Sequence, residues 1–121
     1  NRRQATDVPI GKTTYTLYLG LLEMSKKGMG MTIVVDDEHT IQGIFTDGDL
    51  RRRLNEGVDI RAARMSEVMT PHCTTVGAGV LAAEALAIMQ NKKINAVVVA
   101  DAARRVVGAL NMQDMLRAGV L

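Results

Sequence analysis

At 121 residues the chain fits one domain or two small ones packed together, and a 47% share of hydrophobic residues suffices for a core. A formal net charge of +2 is too small to imply a nucleic-acid or membrane partner, and 2% aromatic residues leave no platform for stacking bases. The single Cys73 excludes an internal disulfide and points to a reducing compartment, hence the cytoplasm, and no apolar run reaches the length of a membrane span.

Residues 1–12 are polar, and Arg2, Arg3 and Asp7 read as solvated charge rather than a nucleic-acid arm. The opening on Asn1 suggests a fragment excised from a larger protein. Leu17, Leu21 and Met24 recur at helical spacing and predict a helix over 16–27. Lys26 and Lys27 suit its last turn and Gly28 its C′ position. Met31 to Val35 reads as a buried strand, 36–39 as a polar turn, and Thr40 to Thr46 as the returning strand. A second helix is expected from Asp47 to Asn55, ended by Gly57.

The start of that helix carries the most chemical information. Thr46 stands where an N-cap belongs, and Asp49, three positions on, suits a capping-box partner. A helix start also offers unpaired N–H groups and a partial positive charge to a phosphate, while a carboxylate beside it suits ribose hydroxyls. Thr46 and Asp49 therefore read either as ordinary capping or as part of a nucleotide site. Arg51, Arg52 and Arg53 point in different directions around the helix, so at most one or two can meet a phosphate. Their other reading is a solvated face or a dimer contact.

Residues 58–69 form a connector with short helical character, and Thr70-Pro71 interrupts it. A helix over 80–90, a strand over 96–99, a turn over 101–105, a strand over 106–110 and a last helix over 112–118 follow. This is the first pattern again. Gly43 and Gly108 stand 65 positions apart, and the same offset relates Asp49 to Asp114, Asp36 to Asp101, Met24 to Met89 and Val34 to Val99. Two copies are too few for a solenoid, and each is small for a core of its own. The predicted architecture is α+β: two helix–strand–strand–helix repeats, 1–57 and 65–121, joined by a connector at 58–64 and packed with pseudo-two-fold symmetry.

The run Ser66-Glu67-Val68-Met69-Thr70-Pro71, the apolar strands ending in Asp36 and Asp101, and Gly-x-x-Thr-x-x-Asp over 43–49 resemble a tandem pair of CBS domains, or Bateman module. Gly28-Met29-Gly30-Met31-Thr32, residues 43–52 and the ending Asp114 to Gly119 resemble more narrowly the C-terminal CBS pair of arabinose 5-phosphate isomerases. That family opens Kdo synthesis, with its aldose–ketose chemistry in an N-terminal sugar-isomerase (SIS) domain. Gly11 and the missing Val-Met-Thr opening of the first copy depart from the pattern.

The resemblance implies a non-catalytic regulatory sensor, with no cofactor or metal, that takes a nucleotide or nucleotide sugar. Candidate ligands are CMP-Kdo, AMP or ATP. It implies a ribose-binding Asp49 and a phosphate-side Thr46, with Gly30, Met31, Ile44, Asp47 and Arg51 around them. A second, weaker site at Thr70, Asn111 and Asp114 is expected, because Asn111 replaces the hydroxyl of Thr46. The parent's own SIS domain and a homo-oligomer through CBS pairs are the implied partners. The competing expectation is a structural dimerisation module without a ligand. His39 lies in a polar turn without a second ligand at metal spacing, Cys73 has no base or orienting partner, and Gly28-x-Gly30 lacks a dinucleotide fingerprint.

Overall fold

Ile41, Gly43 and Phe45 are buried while Gln42 between them is exposed, the alternation of a half-buried strand. Met31 to Val35 is buried at every position, its one polar residue, Thr32, donating its hydroxyl to the Gly20 carbonyl at 3.2 Å. These two segments make the central hairpin of a four-stranded sheet. A computed structural model describes residues 3–4 and 8–113. Strand β1 is Arg3–Gln4, β2 Ile10–Lys12, β3 Met31–Val35, β4 Ile41–Thr46, β5 Thr70–Pro71, β6 Thr75–Val76, β7 Ala96–Ala100 and β8 Val106–Asn111. The helices are α1 Leu17–Lys27, α2 Asp47–Asn55, α3 Met65–Val68 and α4 Ala82–Lys92. The last helix expected over 112–118 lies largely outside the described residues.

The chain divides into two compact units, and Val8–Cys73 is one of them. Its sheet has the order β2-β3-β4-β5, with β2 parallel to β3 and the other pairs antiparallel. The N-cap Thr16 accepts from Leu19 N–H at 3.3 Å, and Gly28 closes α1 in the left-handed region at φ +68°. Helix α1 packs through Leu17 and Met24 onto Val34, Phe45, Met65 and Val68. Gly20 allows the close approach of α3: a Cβ there would stand 2.6 Å from Met65 Sδ. The connector belongs to this unit as well. The Ala63 and Ile60 carbonyls accept from the Leu17 and Tyr18 N–H groups at 2.8 and 2.9 Å, satisfying two donors that a helix start leaves open.

The other unit combines residues 74–113 with β1, in the sheet order β1-β8-β7-β6. Its core gathers Val76, Ala85, Met89, Val97 and Val99. The 65-residue offset holds in three dimensions. Ile10 pairs with Ile33 and Thr75 with Val98; Met31 faces Thr46 and Ala96 faces Asn111. Each hairpin shifts register at the same place, between Val34 and Val35 or Val99 and Ala100. Each turn is tied by an aspartate: Asp36 Oδ1 accepts from Glu38 and Thr40 N–H, and Asp101 Oδ1 from Ala103 and Arg105 N–H, all at 2.9 Å.

The compact units are offset from the sequence repeats expected at 1–57 and 65–121. Strand β5 leaves the second repeat to pair with β4, and β1 leaves the first to pair with β8. Neither edge strand, nor β2, is visible as alternation, since two or three residues are too few to show a period. Helix α4 begins at Ala82, two residues after the expected start.

Candidate functional site

The end of β4 and the start of α2 form the capping box that their residue types predict. Thr46 Oγ1 accepts from Asp49 N–H at 3.2 Å, and Asp49 Oδ2 accepts from Thr46 N–H at 3.0 Å and from the Thr46 hydroxyl at 3.1 Å. Two further donors reach Asp49 Oδ1. The Thr70 hydroxyl, from β5, donates at 3.1 Å, and Arg52 Nη2 donates from one helical turn along α2. Asp49 is 4% exposed. A capping box requires only the first set of bonds, so Arg52 and Thr70 extend a local cap into a polar cluster that joins α2 to the edge strand.

The neighbouring backbone fixes the surroundings. Met31 is buried and faces Thr46 in register, and Ile44 lies between Ile33 and Thr70. The Asp47 N–H donates to the Gly30 carbonyl at 3.0 Å. A Cβ on Gly30 would stand 2.5 Å from Asp47 Oδ2, so the missing side chain leaves room for that carboxylate. Gly43 is pressed harder, since a Cβ would meet the Thr70 carbonyl at 2.6 Å and Met69 Sδ at 2.9 Å.

The three arginines of α2 separate as their helical directions require. Arg51 is exposed, Arg52 turns to Asp49, and Arg53 donates to Glu56 Oε1 at 3.0 Å and to the Val68 carbonyl at 3.5 Å. Gly30, Met31, Ile44, Thr46, Asp47 and Asp49 thus gather at one end of the first unit's sheet. Thr70, grouped with Asn111 and Asp114 by its place in the sequence, stands beside Asp49 instead. Asn111 ends β8, and Met112 N–H donates to the Asn95 carbonyl at 2.8 Å, matching Asp47 and Gly30 in the first unit. Asp114 lies outside the described residues.

The CBS domain model matches residues 20–56 and 65–121. The chain belongs to the CBS domain family. This CBS pair is similar to the arabinose 5-phosphate isomerase KdsD of Pseudomonas aeruginosa, with 58% identity over 101 residues covering 84% of this chain and 31% of the relative. It is 48% identical to KdsD of Escherichia coli K12 over 115 residues, covering 95% of this chain and 35% of the relative. It therefore spans only 31% and 35% of the length of these curated relatives. In fold it is similar to CBSX2, whose crystal structure is a complex with AMP, at a TM-score of 0.82 and 20% identity over 98% of this chain and 92% of that one.

Arg52 and Thr70 are the contacts that reading along the sequence missed. Arg52 had a signal, since Asp49 lies three residues before it on one helix. Thr70 had none, because its bond spans 21 positions and depends on how β5 pairs with β4. Among the described residues, no three His, Cys, Asp or Glu side chains group as metal ligands, and no helix is long and apolar enough to cross a membrane.

Proposed function

We propose that this CBS pair is the regulatory, non-catalytic part of an arabinose 5-phosphate isomerase. It senses a nucleotide or nucleotide sugar in the cytoplasm, with CMP-Kdo, AMP and ATP as candidate ligands. Catalysis then belongs to a separate SIS domain. A ligand that binds two arrangements of the pair with different affinity biases the attached enzyme by that difference and by no more. The observation that carries this reading is the buried Asp49 carboxylate, held by Thr46, Arg52 and Thr70 at a helix start, in a chain 58% identical to a KdsD isomerase. A carboxylate suits ribose hydroxyls, and the helix start and Arg52 suit a phosphate. Gly30, Met31, Ile44 and Asp47 would line the remainder, with Arg51 at the rim. Asn111 and Asp114 would form the weaker counterpart.

Calorimetric titration with CMP-Kdo, AMP and ATP tests the proposal. At least one is expected to bind, and Asp49→Ala is expected to weaken it by about tenfold or more, the loss of one charge-assisted contact. Unchanged affinity in Asp49→Ala removes the carboxylate from the site.

A second reading has its own observation. Leu19 and Leu22 are exposed three residues apart on α1, and Tyr15 is exposed just before its N-cap, an apolar patch suited to a structural homo-oligomer that needs no ligand. A tight dimer by light scattering, with a melting temperature that none of the three ligands moves, would favour that module over the sensor.

A further inference from the structure

We propose that Arg52 is the gate and the selectivity residue of the Asp49 site: a ligand hydroxyl enters only by displacing its guanidinium, which then takes the ligand's phosphate. The inference rests on the nucleotide reading above and adds how the site opens and which ligands open it.

Acceptor capacity limits what Asp49 can bind. An ionised carboxylate offers about four lone-pair positions, two on each oxygen. In Asp49 all four are in use: Oδ2 by the Thr46 N–H and hydroxyl, Oδ1 by the Thr70 hydroxyl and Arg52 Nη2. Asp49 is also buried, so an incoming hydroxyl cannot be added to this arrangement and must replace a donor.

The four donors differ in how easily they leave. The Thr46 N–H is backbone at the junction of β4 and α2. Its hydroxyl is fixed twice, because it also accepts from Asp49 N–H. Strand pairing with Ile44 holds the Thr70 backbone on the exposed edge strand, and its neutral hydroxyl can leave only by turning about its own short side chain, taking no charge from Asp49. Arg52 alone is a long side chain with 67% of its surface in solvent, and it can swing away without moving backbone. Arg51 and Arg53 do not duplicate it, one being exposed and the other engaged with Glu56 and the Val68 carbonyl.

Charge then selects the ligand. Exchanging a guanidinium for a neutral hydroxyl leaves a buried carboxylate without its cation, which is unfavourable. A ligand that brings its own anion restores the balance, because the displaced guanidinium re-pairs with phosphate through charge-assisted bonds. A nucleoside offers only the hydroxyls. A nucleoside phosphate offers both halves of the exchange.

Adenosine and AMP separate these halves in calorimetric titrations of the 121-residue chain. Wild type is expected to bind AMP at least about tenfold more tightly than adenosine. Arg52→Gln, which keeps length and removes charge, is expected to tighten adenosine and bring the two affinities within about threefold. Arg52→Lys restores the preference for AMP, and Thr70→Val leaves it in place. An AMP-to-adenosine ratio unchanged in Arg52→Gln, or an equal weakening of both ligands, overturns the gate while leaving the nucleotide site standing. Absence of binding by AMP, ATP and CMP-Kdo in wild type and in Arg52→Gln overturns the nucleotide reading, and the gate with it.

Discussion

The two units share a backbone frame and differ in what stands on it. Both have the same hairpin, with a bulge at equivalent positions, an aspartate tying the turn, and a left-handed residue within it, His39 at φ 63° or Arg104 at φ 61°. Where the first unit has Thr16, Gly28, Phe45 and Thr46, the second has Leu81, Lys93, Leu110 and Asn111. The first unit also recruits the connector, α3 and β5 into its core and its polar cluster. A duplicated frame therefore does not imply duplicated chemistry. Backbone geometry tolerates many side chains, whereas a saturated carboxylate requires four particular donors.

Substitutions at equivalent positions break or sharpen this contrast. The largest effect is expected at Phe45, which is fully buried against α1, α3 and Val34. Phe45→Ala should cost about 3–5 kcal/mol in urea unfolding, and Leu110→Ala, at the equivalent but only partly buried position, about 2 kcal/mol. Equal costs would mean that the two cores carry equal weight. Next comes Gly43→Ala, whose Cβ would meet the Thr70 carbonyl, a backbone atom that cannot turn aside. A cost of about 1–3 kcal/mol is expected, with faster amide exchange in β5, since the strand must shift. No loss of stability would show that β5 is dispensable to the first unit.

The smallest pair compares helix ends. Gly28 and Lys93 occupy the same left-handed position after α1 and α4, at φ 68° and φ 56°. Gly28→Ala should destabilise by about 1 kcal/mol, because an L side chain is strained there. Lys93→Gly should stabilise by about 0.5 kcal/mol, the relief of that strain less the added chain entropy of glycine. Thermal melts of both variants check the opposite signs.

Much of this was legible along the chain. The spacing of Leu17, Leu21 and Met24, the stop at Gly28, the capping box of Thr46 and Asp49, and the 65-residue recurrence all depend on near neighbours and stand in the structure as read. The exchange of edge strands did not, because Thr70–Pro71 and Arg3–Gln4 are too short to carry a pattern and pair far from their own repeats. The reasons for Gly20 and Gly43 were equally hidden, being the approach of Met65 and of the Thr70 carbonyl.

The amino-acid order by itself determined the longer helices and the two central hairpins, their duplication, the α+β CBS fold and the acid at the helix start, since each follows from periodicity, turn chemistry or capping within a few residues. Tertiary structure alone decided which units these elements build and which donors fill Asp49. A hydrogen bond between residues 49 and 70 forms only when strand pairing has brought them together.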